Sequence, residues 1–357
     1  MTDALHLAGL DHVEFYVADS DAMTEHMVAG YGFEVAGRST ADPTSHRTVA
    51  LRQGGIVLAV TQGLSDEHPA SAFVRAHGDG VANIVFRTPD VRAAFADAVA
   101  GGARPLAAPA EAHGTTTAAI EAFGDVRHTF VERSAGDPPG LLPPGVEPVR
   151  TEGGAFAAGL RAMDHIAVLV EAGRLKETVA FYESALGFRM IFEERFSVGT
   201  QGMNSQVVQN RAGDATFTII EPDQDCEPGQ IDDFVESHGG AGVQHLAFLA
   251  DDIVRAVRTL QDHGVEFLTT PGTYYDLLPS RVDIVEHPLA QLRELGILAD
   301  SDHAGQLFQI FTRSTHPRKT FFLEIIERHG AETFGRGNVR ALYEAVELER
   351  TNAEPRP

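Results

Sequence analysis

The chain has 357 residues, of which 43% are hydrophobic and 22% charged, and these values indicate a globular protein of about two domains. Its formal net charge of −23 argues against a nucleic-acid partner, because such a field repels phosphate backbones. It does not exclude an anionic small substrate, since a bound metal can dominate the local field. No signal-peptide pattern and no membrane-spanning apolar run is found, and the single cysteine, Cys226, predicts a reducing, cytoplasmic location without internal disulfides.

The predicted elements begin with an alternating apolar run at Leu10-Asp11-His12-Val13, which is typical of a strand. A helix follows and ends at the glycine of Tyr31-Gly32-Phe33. A further strand is predicted at residues 80–86, and the helix after it begins at Asp90, whose side chain suits a helix N-terminus. A strand that includes Phe130-Val-Glu-Arg133 closes this part of the chain.

The segment Gly136-Asp-Pro-Pro-Gly-Leu-Leu-Pro-Pro-Gly145 separates two halves of the sequence. It cannot run through a helix or a central strand, because proline lacks an amide donor and fixes φ. We therefore predict a linker between an N-terminal domain, residues 1–150, and a C-terminal domain, residues 151–357.

The same order of elements returns after the linker. The matching segments are Met163-Asp-His-Ile166, Leu186-Gly-Phe188, residues 242–248, Asp252 and Ile325-Ile-Glu-Arg328. Each half therefore contains two β-α-β-β-β units, and the fold class is α+β, with four units forming two open barrels that have concave inner faces. An open doubly wound sheet lacks support, because no glycine-rich phosphate loop follows any strand.

Superposing the two halves of the sequence isolates three candidate metal ligands. His165, His245 and Glu324 fall opposite His12, Asn83 and Thr129. One half thus presents two imidazoles and a carboxylate, whereas the other keeps one candidate ligand. We predict a catalytic C-terminal half and a structural N-terminal half with a degenerate metal site.

Two histidines and one carboxylate form the facial arrangement of non-haem Fe(II) oxygenases, which leaves positions for a 2-keto acid and dioxygen. Strand alternation places Glu324 on one face with Phe322 and Ile326, where a carboxylate is costly unless it is paired or metal-bound. A single histidine among the 16 in the chain would more often be a surface or hydrogen-bonded residue. The prediction therefore depends on the three positions together.

Five motifs strongly resemble the 4-hydroxyphenylpyruvate dioxygenase family. They are Gly240-Ala-Gly-Val-Gln-His-Leu-Ala247, Thr273-Tyr-Tyr-Asp276, Leu307-Phe-Gln-Ile-Phe-Thr312, Phe321-Phe-Leu-Glu-Ile-Ile-Glu-Arg-His-Gly330 and Phe334-Gly-Arg-Gly-Asn338. The likeness covers nearly the whole chain and is densest from residue 160 to 350. It implies the vicinal-oxygen-chelate fold, 4-hydroxyphenylpyruvate and dioxygen as substrates, a homo-oligomer, and Fe(II) on the residues that match His165, His245 and Glu324.

Four positions depart from the homogentisate-forming branch of that family. The branch usually has proline and asparagine where this chain has Thr218 and Ile220, and phenylalanine where it has Val339 and Tyr343. These departures resemble the branch that hydroxylates the benzylic carbon of the same substrate and gives 4-hydroxymandelate and CO2. On this resemblance we expect Val339 and Tyr343 to line the pocket, whereas the apolar stripe they form is by itself typical of ordinary core.

The resemblance also assigns further side chains to the substrate pocket. Polar groups around the substrate are expected at Ser205, Gln230 and Gln309, aromatic walls at Phe311 and Phe322, and support of His245 at Gln244. Without the resemblance, each polar residue would be interpreted as a satisfied strand hydrogen bond.

The segment from Phe334 to Val346 is predicted to close over the pocket after a glycine hinge.

Three other functions remain open at this stage. The first is a dioxygenase that forms homogentisate from the same substrate. The second is a non-enzymatic ligand-binding protein of the same fold, which would need no metal. The third is an extradiol ring-cleaving enzyme, which would use the same three ligands on a catechol.

Overall fold

The computed structural model describes residues 7–39, 44–134, 136–138, 140–150, 156–198, 200–335 and 337–338. Val339 and Tyr343, which are predicted to line the pocket, and most of the predicted lid lie outside these ranges. No helix in the described ranges has the length and apolar character needed to cross a bilayer.

The first half forms one nine-stranded sheet with three helices. Its elements are β1 (Leu10–Val17), α1 (Ser20–Tyr31), β2 (Glu34–Ser39), β3 (His46–Gln53), β4 (Ile56–Gly63), α2 (Pro69–His77), β5 (Gly80–Thr88), α3 (Val91–Ala100), β6 (Pro105–Ala112), β7 (Thr115–Glu121), β8 (Arg127–Glu132) and β9 (Val146–Pro148). The strand order is β6-β7-β8-β5-β1-β4-β3-β2-β9, so the two repeated units meet at the antiparallel pair β1 and β5.

The second half forms an eight-stranded sheet on the same plan. Its elements are β10 (Leu160–Leu169), α4 (Leu175–Leu186), β11 (Arg189–Val198), β12 (Gln201–Gln209), β13 (Thr216–Pro222), α5 (Gln230–His238), β14 (Gly242–Ala250), α6 (Ile253–Asp262), α7 (Gly272–Leu277), a 3-10 turn (Leu278–Ser280), α8 (Leu289–Leu295), β15 (Leu298–Ser301), β16 (Gln306–Phe311) and β17 (Phe322–His329). The strand order is β11-β12-β13-β10-β14-β17-β16-β15. The predicted α+β class and the four β-α-β-β-β units are confirmed.

Local chemistry accounts for the ends of the repeated helices. The Asp90 carboxylate accepts a hydrogen bond from the Ala93 amide, and Asp252 accepts one from Arg255, so both predicted caps are confirmed. Helix α4 ends at Gly187, which adopts the left-handed conformation that glycine tolerates best. These caps set where each helix leaves the sheet.

The two halves share one hydrophobic core. Phe86 of β5 packs against Phe188 and Phe217 of the second half, with ring centroids 5.9 and 6.1 Å apart. Between the halves, the buried His128 ring contacts the Tyr182 hydroxyl at 2.9 Å. The helices and outer strand faces therefore supply the core.

Candidate metal centre and substrate pocket

Strand register brings the three candidate ligands onto one face of the second sheet. His165 on β10 lies opposite Ala247 on β14, and Ala247 in turn lies opposite Glu324 on β17. His245 lies two residues before Ala247 and therefore points to the same side. Three neighbouring strands thus present two imidazoles and a carboxylate to one point on the concave face.

The ligand atoms of these residues lie close together and are buried. Nε2 of His165 lies 3.3 Å from Oε2 of Glu324, and Nε2 of His245 lies 3.4 Å from the same oxygen. Metal bonds of about 2.1 Å would place neighbouring ligand atoms about 3.0–3.4 Å apart, which fits these separations. The Glu324 side chain is only 4% exposed, so it needs a cationic partner. The donor set and its spacing fit a divalent metal.

Support for His165 comes from a partly buried ion pair. Oδ1 of Asp164 lies 2.8 Å from Nδ1 of His165, so the ring is oriented with Nε2 towards Glu324. The Arg328 guanidinium donates two hydrogen bonds to the same carboxylate, at 2.7 and 2.8 Å. Gln244, predicted to support His245, has its Oε1 3.3 Å from Nδ1 of that ring.

Electrostatics keep the carboxylate ionised. Burial raises the pKa of Glu324, but the two imidazoles outweigh this effect and lower that pKa to about 2. Burial lowers the pKa of His165, yet Glu324 and Asp164 together raise it to about 9. In the absence of a metal the group therefore holds a proton on His165, and a metal ion would have to displace it.

Six of the predicted pocket residues share the concave face with the ligands. Register pairs Ala167 with Thr218, Thr218 with Val207, Ile220 with Ser205, and Glu324 with Phe311. Alternation adds Gln309 and Phe322 to this face. The Phe322 ring stacks on His245 at 4.9 Å, and the Phe311 ring meets Phe322 edge-on at 6.0 Å.

Two polar atoms on this face are buried without a partner. Within the described part of the chain, neither Oγ1 of Thr218 nor Oε1 of Gln309 has a hydrogen-bond partner. Gln309 is 2% exposed and Thr218 6%, so water does not readily replace the missing bonds. Both side chains therefore suit contact with a bound ligand.

The chain after β17 passes over the candidate metal centre. The Phe334 ring meets His165 edge-on at 5.3 Å, and the Arg328 guanidinium lies 5.0 Å from the centre of the Phe334 ring. Gly335 has φ +76°, and a Cβ atom there would lie 2.3 Å from Oε1 of Gln309. Only glycine fits this close approach.

A group of three residues anchors the start of the predicted lid, and sequence reasoning missed their role. The Tyr274 hydroxyl lies 2.7 Å from Oδ1 of the buried Asn338. The Gly337 amide donates to Asp300 at 2.7 Å, and Arg281 donates to the Gly337 carbonyl at 2.8 Å. Tyr274 belongs to a motif that carried the family resemblance, and this was its only signal.

Gln230 is placed differently from the other predicted pocket residues. It is exposed at the first position of α5, on a helix rather than on the concave face. Its role in substrate contact stays a prediction.

In the first half, the positions that match the three candidate ligands by repeat carry a hydrogen-bond network. Thr129 donates to the Asn83 carbonyl oxygen at 2.9 Å, and the Asn83 amide donates to Glu14 at 3.0 Å. Thr61 donates to the other oxygen of Glu14 at 2.8 Å. Among the described residues of this half, no three histidine, cysteine or acidic side chains converge closely enough to hold a metal.

Comparison with known proteins gives consistent matches over nearly the whole chain. Residues 1–139 match the model of the N-terminal region of hydroxyphenylpyruvate dioxygenase. Residues 162–278 match the model of the glyoxalase, bleomycin resistance protein and dioxygenase superfamily. The 4-hydroxyphenylpyruvate dioxygenase of Dictyostelium discoideum is 31% identical over 96% of this chain and 98% of its own length. That of Caenorhabditis elegans is 32% identical over 96% and 91%.

A solved structure gives a higher identity. A mutant of 4-hydroxymandelate synthase from Streptomyces coelicolor is 42% identical, has a TM-score of 0.86, and the match covers 96% of this chain and 98% of that one.

Proposed function

The chain belongs to the 4-hydroxyphenylpyruvate dioxygenase family and has the vicinal-oxygen-chelate fold, and from this premise we propose that it is an Fe(II)-dependent 4-hydroxymandelate synthase. Its reaction would join 4-hydroxyphenylpyruvate and O2 to give 4-hydroxymandelate and CO2. The observation that carries the proposal is the buried group of His165, His245 and Glu324 on a concave face with two unpartnered polar atoms.

The three ligands would hold the iron, which when bound supplies Lewis acidity and the activation of dioxygen for oxidative decarboxylation of a keto acid. Asp164 and Arg328 keep His165 in the orientation that binds metal, and Gln244 does the same for His245. The Phe311 and Phe322 rings form an apolar wall that suits an aromatic substrate. Gln309 and Thr218 offer the polar atoms that orient it. Ser205 belongs to the same face and is a further polar contact.

Product choice depends on how the aromatic ring is oriented. A displacement of about 1 Å can change a reaction rate about a hundredfold, so a few side chains are sufficient. Ile220 offers no hydrogen bond to the ring where the homogentisate-forming branch has an amide, and Val339 and Tyr343 replace larger or less polar side chains. The 42% identity to a 4-hydroxymandelate synthase supports the same choice.

The homogentisate-forming dioxygenase is the second candidate function. The relatives of D. discoideum and C. elegans carry the dioxygenase name, at 31% and 32% identity. Both reactions use the same substrates and the same three ligands, so the metal site does not separate them.

Product analysis tests the proposal. The purified chain would be supplied with Fe(II), oxygen and 4-hydroxyphenylpyruvate, and the products separated by chromatography and identified by NMR, because the two candidate products are isomers of equal mass. We expect 4-hydroxymandelate. Homogentisate as the main product would overturn the synthase assignment, and iron-independent behaviour without oxygen uptake would overturn the enzyme class.

Two further parts of the proposal concern organisation. The half up to residue 150 is structural and the half from residue 151 is catalytic, supported by the absence of a metal-binding group among the described residues of the first half. We also propose that the protein acts in the cytoplasm, where its one free cysteine, Cys226, stays reduced, and that it forms a homo-oligomer.

A further inference from the structure

A second group of metal-ligating side chains lies on the other face of β17. His287, Glu327 and His329 bring one ligand atom each to within 4.8 Å of one another. Glu327 is an odd number of residues from Glu324 on the same strand, so its side chain points away from the concave face. This group is therefore separate from the candidate iron site.

Both imidazoles are directed at one buried carboxylate. Nε2 of His287 lies 2.9 Å from Oε2 of Glu327, and Nε2 of His329 lies 2.5 Å from Oε1. The Glu327 side chain is 5% exposed, whereas His329 is 34% exposed, which gives an ion a route in from solvent. Two imidazole nitrogens, one from a loop and one from a strand, thus converge on the two oxygens of one carboxylate.

The groups that contact His329 and Glu327 are arranged like the residues that usually support metal ligands. Nδ1 of His329 faces Oε2 of Glu286 at 3.5 Å, which matches the common pattern in which a ligating histidine passes its other N–H to a carboxylate. Oε2 of Glu327 accepts the Ile253 amide at 2.7 Å and is held in place by it.

The first half provides an internal reference for this arrangement. Glu132, the residue that matches Glu327, accepts the Val91 amide at 3.4 Å and so performs the same anchoring of a helix N-terminus. Ser134 stands where His329 would be. His287 lies in the segment between α6 and β15, for which the first half has no counterpart, because there β6 follows α3 after four residues. Helix anchoring explains the carboxylate, but it does not explain two added imidazoles.

We propose that His287, Glu327 and His329 form a second divalent-cation site that takes Zn(II). Two imidazoles and a carboxylate are preferred ligands of zinc, which binds them at about 2.0–2.2 Å with water as a fourth ligand. Ligand atoms would then lie about 3.3 Å apart, a small widening that the partly exposed His329 permits.

Bound zinc would connect the loop that carries His287 to the end of β17. The same loop starts at Arg281, which donates to the carbonyl of Gly337 at the beginning of the predicted lid. The site would therefore stabilise the support of the lid without touching the substrate.

Zinc stoichiometry tests the proposal. Zn(II) would be titrated into the full chain in competition with a chromophoric chelator, and we expect two equivalents to bind. His329→Gln should bind one. His303→Gln is the matched control and should bind two. His303 is 80% exposed, has a carboxylate 3.9 Å away, and belongs to none of the three-residue groups found among the described residues.

Two further variants separate this site from the candidate iron site. Glu324→Ala should keep one equivalent, and Zn(II) should raise its thermal unfolding midpoint. Glu286→Gln should weaken the second equivalent about 10- to 100-fold, the usual cost of losing a carboxylate behind a ligating histidine. One equivalent in the unaltered chain, or two in His329→Gln, would overturn the site. When only Fe(II) is supplied, His329→Gln and the unaltered chain should form product equally, because neither then holds zinc at this site. A negative result in the zinc titration would therefore leave the proposed function intact.

Discussion

The two halves of the molecule support a histidine in the same way but differ in what surrounds it. In the first half Asp11 lies 2.7 Å from His12, and Arg133 donates to that aspartate at 2.9 and 3.2 Å. In the second half Asp164 and Arg328 repeat both contacts around His165. The support is therefore a property of the repeated unit and does not by itself make a metal site.

The difference lies in three neighbouring positions. The first half has Asn83 and Thr129 where the second has His245 and Glu324, and it has Glu14 where the second has Ala167. The Glu14 carboxylate occupies the concave face and accepts hydrogen bonds from Asn83 and Thr61. The half that presents the three candidate ligands thus also has a small residue, Ala167, at the position that Glu14 fills in the first half.

The largest difference is expected between two single variants. One removes a candidate ligand in the second half, and the other changes its counterpart in the first half. Glu324→Ala should abolish iron binding and turnover, because the two imidazoles alone leave the metal weakly held and uncompensated. Thr129→Ala should keep iron and turnover and lower the free energy of unfolding by about 1 kcal/mol, the usual value of one hydrogen bond. Both variants are checked by their iron content, their product yield and their unfolding in urea. Iron loss in Thr129→Ala would show that the first half takes part in metal binding.

The supporting aspartates allow the comparison to be sharpened. Asp164→Asn should weaken iron binding about 10- to 100-fold, because the ring of His165 loses its charged acceptor. Asp11→Asn makes the same change in the first half and should affect only stability, since it leaves Arg133 with a neutral partner. Iron affinity measured by chelator competition distinguishes the two variants. Equal affinities would mean that orientation of His165 does not limit metal binding.

The contacts to Gly337 and Asn338, at the start of the predicted lid, come from Tyr274 and Arg281 in the segment between α6 and β15 and from Asp300 of β15. The first half has no counterpart of that segment. Tyr274→Phe removes the hydroxyl that contacts Asn338 and the Ala299 backbone. We expect a loss of about 1 kcal/mol in stability and about a tenfold lower kcat/KM, which is about 1.4 kcal/mol of transition-state stabilisation, with iron content unchanged. Steady-state kinetics and metal analysis check this. An unchanged kcat/KM would show that the Tyr274 contact at the start of the predicted lid does not contribute to turnover.

The smallest expected effect is on the pH dependence of stability. Burial lowers the pKa of His128 from its ordinary 6.5 to about 3, and the second half has Leu323 at the matching position. Since the folded pKa lies below the unfolded one, the unfolded chain takes the proton first, and stability falls as pH drops from 6.5 towards 3.

The variant that tests this contribution is His128→Leu combined with Tyr182→Phe, so that no hydroxyl is left unpaired. Between pH 7 and 5.5 it should lose about 1 kcal/mol less stability than the unaltered chain. Urea unfolding at the two pH values provides the measurement. An identical loss in both chains would show that His128 is not neutral in the folded state.

Much of this architecture could be predicted because the two halves of the chain repeat the same order of elements and can be compared with each other. The strand that carries Glu324 and the caps Asp90 and Asp252 follow from periodicity and repeat, which are local patterns. Repeat-equivalent positions also bring His165 and His245 together, although many residues separate them.

Other features depend on contacts that no local pattern records. The Tyr274–Asn338 contact joins residues 64 positions apart through a segment without a repeat partner. Gln230 was expected in the pocket from family resemblance, and its exposure depends on how α5 is placed. The second imidazole group, with His287 in an irregular loop, likewise has no periodicity that would indicate it.

The pairing of Asp164 with Arg328 has a consequence for the order of folding. The two residues are 164 positions apart, against 122 for Asp11 and Arg133 in the first half. Closing a longer loop costs more chain entropy, and contacts between distant residues slow the folding of a domain. The candidate ligands come from both units of the second half, so they converge only after these units have docked. Capture of a metal by them would therefore be a late event, made by a chain that has already folded.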